Sequence, residues 1–217
     1  EDNDQEATNR GQDGGIETTA RVHPGPRRAT SLTHMPAVGI VVYGGRVRAA
    51  GGWEYPTEIY SFSYESDVVE DIRAQRSWSI VGMNSAASGE QDAMSLAGRA
   101  YHTLVRMNSN TDALVFGGLA CRKEICRDSE SGYSNDLILL NFTANSWTLL
   151  TSDADSPGPI QRPTPRARHV CAPVSKVATV QHLVSADMIC FGGEDSDGNV
   201  LNKLWSTSEK AVGTATS

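Results

Sequence analysis

The chain has few basic residues, few cysteines, few aromatic side chains and no long apolar run, and each shortage removes a class of function. Lys and Arg total 19 against 26 Asp and Glu, a formal net charge of −7. A nucleic-acid surface, which needs a basic patch, is therefore not expected. No stretch is long and apolar enough to span a bilayer, and no signal peptide is visible. The apolar runs show no helical period. Zinc is not expected, because Cys121 and Cys126 are loosely spaced and no His stands beside them. No Gly-rich loop is followed by Lys-Ser/Thr, and no nucleophile elbow is present. The segment is expected to carry no catalytic set, no metal and no cofactor.

What is present is an internal repeat. From Arg99 the chain runs Arg99-Ala100-Tyr101-His102, then Ala113-Leu114-Val115-Phe116, Gly117-Gly118, Asn135-Asp136-Leu137 and Trp147. From Arg166 the order recurs as Arg166-Ala167-Arg168-His169, Met188 to Phe191, Gly192-Gly193 and Asn202-Lys203-Leu204-Trp205. A weaker copy lies upstream, with Arg27-Arg28-Ala29-Thr30, Val38 to Tyr43, Gly44-Gly45, Glu58 to Phe62 and Trp78. Such a unit cannot bury its own faces and must stack on its copies.

Each unit reads as strands. Val38–Tyr43 and Leu114–Phe116 are β-branched and aromatic and stop at a glycine pair. In the middle copy four strands are expected, over about Ala100–Met107, Ala113–Gly117, Asp136–Phe142 and Ser146–Thr151. Trp147, Leu140, Leu137 and Phe116 are expected to be buried together.

Arg-x-x-His, apolar-Gly-Gly, Asn-Asp-Leu and Trp in fixed order resemble the kelch repeat. That resemblance implies an all-β fold, a partial kelch-type β-propeller of four-stranded antiparallel blades. Gly44, Gly117 and Gly192 follow one another at 73 and 75 residues, longer than a kelch period of roughly 50, the surplus falling in loops. The expected division is a disordered or linker segment over 1–23, blades over 24–95, 96–163 and 164–208, and a frayed tail over 209–217. The first blade is divergent, with an insertion at Glu65–Arg76, and the third lacks its fourth strand. Since propellers have about four to eight blades, the simplest expectation is an internal segment of a longer protein. A trimmed mature chain and a self-associating partial propeller are the alternatives.

Cys171 and Cys190 should lie on neighbouring antiparallel strands, and Cys121 and Cys126 in one loop. Two disulfides would imply an oxidising compartment, and Asn141-Phe142-Thr143 is a glycosylation sequon. Free thiols in a cytoplasmic protein are the reading favoured over secretion.

His102 and His169 recur at one repeat position, so a structural role is expected rather than catalysis or metal binding. The same reasoning covers Gly44, Gly45, Gly117, Gly118, Gly192, Gly193, Trp78 and Trp147. Arg99 and Arg166 are expected to anchor the entry to the first strand through backbone carbonyls or carboxylates. Glu194 to Asn199 reads as a turn rather than a calcium loop, because it lacks the far acidic ligand. The resemblance also implies a protein-interaction scaffold, non-catalytic in this segment. A regulatory propeller within a larger enzyme, such as a kelch-containing phosphatase, or a secreted propeller are the alternatives. Its contact positions fall on Arg28, Arg46, Tyr101, Leu119, Arg168 and Glu194. An acidic peptide partner fits those arginines.

Overall fold

The computed structural model describes residues 22–63, 77–85, 96–107, 109–121, 125–126, 131–150, 163–174 and 186–208. Nearly all of the expected linker, the insertion and the tail lie outside them. Among the described residues there is no helix, and the strands assemble into sheets that are antiparallel apart from one short pairing.

Three larger sheets follow the repeat. The first orders Ser31–Met35, Gly39–Tyr43, Ile59–Ser63 and Ser77–Val81 side by side. The second orders Thr103–Arg106, Asp112–Phe116, Leu137–Asn141 and Ser146–Leu149. Asn84–Ser85 joins the edge of this second sheet in parallel with Ser146–Leu149, tying the exit of one repeat to the next. The third comprises Val170–Pro173, Ala186–Phe191 and Leu204–Ser208. Two smaller three-stranded sheets are built from the chain around and after the glycine pairs. One joins Gly98–Ala100, Leu119–Cys121 and Gly132–Tyr133, the other Val47–Ala49, Gly52–Glu54 and Ile125–Cys126.

The first strand of each repeat is not continuous, as the sequence suggests for the middle copy. It breaks between Gly98–Ala100 and Thr103–Arg106. The cause is Tyr101, held at φ 57°, in the left-handed region that interrupts a strand. Ala29 and Arg168 occupy the same repeat position at φ 56° and 59°.

Strand alternation gives every sheet two apolar faces, and stacking fills the seams between them. In the first seam Val41, Tyr43 and Ile59 meet Leu104, Val115 and Ile138. In the second, Leu114, Phe116 and Leu137 meet Met188 and Cys190, with the Trp205 ring stacked on Phe116 at 5.0 Å. The four residues expected to share one cluster therefore divide. Leu140 and Trp147, paired across strands, face the first seam, while Phe116 and Leu137 face the second. An odd separation along one strand, 137 to 140, sends side chains to opposite faces. Trp78 is half-buried and lies against Phe62 at 4.9 Å.

Cys171 and Cys190 are register partners on neighbouring strands and are disulfide-bonded. Cys121 is disulfide-bonded as well, which corrects the expectation of free thiols; the side chain of Cys126 lies outside the described set.

The seams are closed by the repeat motif itself. Arg27, Arg99 and Arg166 each donate from Nη1 to the carbonyl of the first glycine of their own repeat, Gly44, Gly117 and Gly192, at 3.0, 3.1 and 3.2 Å. Arg99 also pairs with Asp136 at 3.3 Å. The following repeat then approaches the glycine pair. Gly45 N–H donates to Arg99 O and Gly118 N–H to Arg166 O, both at 2.8 Å. A parallel rung runs through the left-handed residues, Tyr101 N–H to Ala29 O at 2.9 Å and Arg168 N–H to Tyr101 O at 3.0 Å. The His rings fill what remains. His102 lies edge-on to Tyr43 at 5.1 Å and His169 to Phe116 at 4.9 Å.

Burial, followed by repulsion from Arg99, holds the imidazole of His102 well below the ordinary His range. Burial, followed by Arg166, holds His169 at about 4. Both are neutral hydrophobic plugs at neutral pH. In the unfolded chain they titrate near 6.5, so the unfolded state binds more protons as pH falls below that value. Stability should therefore be full above about pH 6.5 and fall continuously toward about pH 4, with His169 alone contributing on the order of 3 kcal/mol to the change. Urea melts across this window check it, and His169→Gln should flatten the slope.

Gly117 sits at φ 64°, and a Cβ there would stand 2.7 Å from His169 Cε1 and 2.8 Å from Arg166 O. Gly117→Ala combines left-handed strain with a clash against backbone, and should cost about 2–5 kcal/mol in a denaturant melt.

Candidate functional site

The residues that the repeat places after each glycine pair and at each left-handed position meet on one face. Arg46 follows Gly45, and its backbone is bridged to Arg28 through two hydrogen bonds of 2.8 and 3.0 Å. Its guanidinium lies over the Trp53 ring at 4.2 Å and the Tyr101 ring at 5.1 Å, and donates to the Tyr101 hydroxyl at 2.8 Å. Arg168 covers Tyr101 in turn, at 4.7 Å. Arg48 reaches Trp53 at 5.2 Å. The result is a row in which arginines and aromatic rings share one surface, each cation attracted to a ring face.

Arg168 continues the row into an ion pair with Glu194, whose carboxylate also accepts from the Tyr133 hydroxyl at 2.7 Å. Together, the Tyr133 hydroxyl first and Arg168 second hold the Glu194 carboxyl below its usual range. The same contact pushes the Tyr133 phenol up and the Arg168 guanidinium up. Half of the Arg168 side chain remains exposed, so the pair is a surface pair that solvent screens.

Of the six sequence-derived positions, the structure thus connects Arg46, Tyr101, Arg168 and Glu194 through side chains. Arg28 is exposed beside them and joined through its backbone. Leu119 is a strand residue paired with Ala100 and Tyr133, and its side chain packs on the cluster of Tyr55, Ala100 and Cys121, on which Tyr101 and Trp53 also pack. The sequence analysis missed Trp53, Arg48 and Tyr133. Trp53 and Arg48 are register partners in the hairpin Val47–Ala49/Gly52–Glu54. The Gly51-Gly52 pair between short runs was the turn signal that could have located it.

Around the rim, Asp195 closes the turn after Glu194, accepting from the backbone N–H of Asp197 at 3.0 Å and of Asn199 at 2.9 Å. Asp195 Oδ2 accepts from the Asn199 side-chain amide at 3.1 Å, and the segment closes as a turn. Among the described residues, no group of three or more His, Cys, Asp or Glu is arranged to hold a metal ion.

No family model matches the chain, and no curated protein matches it. Solved structures do. One is the structure of YjhT, with 16% identity and a TM-score of 0.42, covering 80% of this chain and 36% of that one. A second is a chain of the RAG complex with one melted and one unmelted RSS, at 12% identity and a TM-score of 0.51, covering 82% and 46%. A third is a fungal alcohol oxidase of the AA5 family in complex with copper, at 12% identity and a TM-score of 0.46, covering 84% and 31%. The chain spans less than half the length of each. The likeness to the RAG chain is one of fold, extending over most of this chain.

Because the Tyr133 hydroxyl and Arg168 both hold the Glu194 carboxyl down, Tyr133→Phe and Arg168→Ala should each move its titration upward. Carbon-detected NMR titration of the Glu194 carboxyl checks this. A titration that stays in place in either variant would show that the removed group does not act on the carboxylate.

Proposed function

We propose that the chain is a segment of a kelch-type β-propeller, its three larger sheets being blades, and that it serves as a protein-interaction module. The cation–aromatic face would be its binding surface and an acidic peptide segment its ligand. One observation carries this reading. Arg46, Tyr101 and Arg168 stack into a continuous row, with Arg28 and Arg48 exposed alongside, on a chain whose net charge is −7.

A local cationic surface on an acidic protein selects for anions and excludes other basic proteins, which makes it a specificity device as well as an attractive one. Arg and Tyr supply large rigid contact area at low entropic cost and are the types enriched at energetic centres of interfaces. The guanidinium of Arg46 is held by Trp53 and Tyr101, so little rotamer freedom remains to be lost on binding. Support for the blade reading comes from the seams. Each of the three repeats presents the same arginine-to-glycine contact and the same left-handed corner, and both seams carry the same glycine-to-arginine rung.

Screening the chain against a display library of acidic peptides should yield binders whose affinity falls as ionic strength rises. Arg46→Ala and Arg168→Ala should each weaken such a binder by about ten- to one-hundredfold, the range of one charge-assisted contact. Melting curves confirm that the variants remain folded. Affinity unchanged in both variants would remove the face from the binding surface.

A further inference from the structure

Asn141-Phe142-Thr143 is the only Asn-x-Ser/Thr sequence in the chain. The fold puts it where the third strand of the second sheet, Leu137–Asn141, turns into the fourth, Ser146–Leu149. Strand alternation decides how its three residues are displayed. Leu140 and Phe142 are buried in the first seam, so the middle residue of the sequon is an anchor that fixes the turn to the sheet. Leu137 and Leu139 face the second seam, and Asn141 follows them on that side. There the apolar stripe gives way to polar residues, since the cross-strand partners of Asn141 are Asp112 and Ser146. Asn141 is half-buried, and Thr143, Ala144 and Asn145 are exposed. The Asn141 Oδ1 accepts from the Ala144 N–H at 2.7 Å. That bond holds the side chain by its oxygen and leaves Nδ2 without a hydrogen-bond partner among the described residues.

We propose that Asn141 is an attachment site for an N-linked oligosaccharide. A sequon is used only in a secretory compartment, and the cysteines argue independently for one. Cys171 and Cys190 are bonded across neighbouring strands, Cys121 is bonded as well, and among the described residues no cysteine is free. Such bonds form and persist in oxidising compartments. The donor is an oligosaccharide carried on a lipid diphosphate. Asn141 Nδ2 attacks the anomeric carbon, forming a C–N bond as the C–O bond to the diphosphate breaks. The lipid diphosphate leaves, and the amide gives up one proton. The fold tolerates the added bulk, because it grows from the end of the strand opposite the glycine pair. Phe116 pairs with Leu137 at the glycine end, and Asn141 lies four residues further on, about 13 Å along the strand. The oligosaccharide therefore stands away from the row of Arg46, Tyr101 and Arg168, whatever that row binds.

The 217-residue chain, secreted from mammalian cells behind a cleavable signal, should show one oligosaccharide above the polypeptide mass in its intact-protein spectrum. Peptide-N-glycosidase should remove it and leave aspartate at position 141. Asn141→Gln and Thr143→Val should each be secreted at the bare polypeptide mass, whereas Thr143→Ser should keep the oligosaccharide. Thr143 is exposed, so its two variants leave the packing of the turn untouched, and their contrast separates a lost acceptor from lost folding. The glycosylated chain should melt cooperatively and present no free thiol. A folded chain secreted at the bare mass, an oligosaccharide that persists in Asn141→Gln, or a glycosylated chain with free thiols or no cooperative melt would overturn the proposal.

Discussion

Everything in this molecule hangs on the close approach of one repeat's backbone to the glycine pair of the repeat before it. Gly44 and Gly117 stand in the left-handed region with the next repeat's Arg carbonyl and His ring where a side chain would be. Their neighbours Gly45 and Gly118 donate to that same carbonyl. The second glycine also faces inward, since a Cβ on Gly118 would meet Ala100 O at 2.6 Å within its own repeat. A pair is needed because two backbones converge there from two sides. Only glycine leaves room for both.

The arginine and histidine of the motif follow from that approach. Arginine satisfies the carbonyl of the first glycine, and its stem and guanidinium are buried for the purpose; Arg99 is 1% exposed. Histidine fills the gap against Tyr43 or Phe116 as an uncharged ring. Neither ring nitrogen of His102 has a hydrogen-bond partner among the described residues, a desolvation cost that the packing of the seam outweighs. The arginine recurs in all three repeats and the histidine in the second and third; Arg99, Arg166, His102 and His169 are buried where one repeat packs on the next.

The candidate site is a by-product of the same joint. Because the entry strand must turn sharply before it passes the glycine pair, one residue per repeat takes a left-handed φ, and its neighbours link from repeat to repeat through N–H···O=C rungs. Positions Ala29, Tyr101 and Arg168 are therefore set side by side by the backbone, whatever their side chains. The motif leaves those positions unconstrained in chemistry, which is why alanine, tyrosine and arginine all occur there. Variation on a fixed rung is how a repeat scaffold acquires a particular surface.

The order of strands and the glycine pairs that end the second strand of each repeat were legible in the sequence, because each recurs and recurrence encodes local geometry. Arg46, Tyr101, Arg168 and Glu194 are joined through side chains because they occupy two repeat positions that the backbone sets side by side, and Leu119, at the same repeat position as Arg46 and Glu194, packs on the apolar cluster that Tyr101 and Trp53 also cover. The break at Tyr101, the split of Trp147 from Phe116 and the Cys171–Cys190 bond were likewise decided by tertiary register, which a linear pattern leaves open by one residue. So were the meetings of Arg46 with Tyr101 and of Tyr133 with Glu194, which join residues far apart in the chain. The sequence by itself determined the repeating unit and its joints, because these depend on residue types at short, fixed spacing. Which side chains meet across the joints was settled only when the sheets stacked, since that depends on distances between residues the chain does not place next to one another.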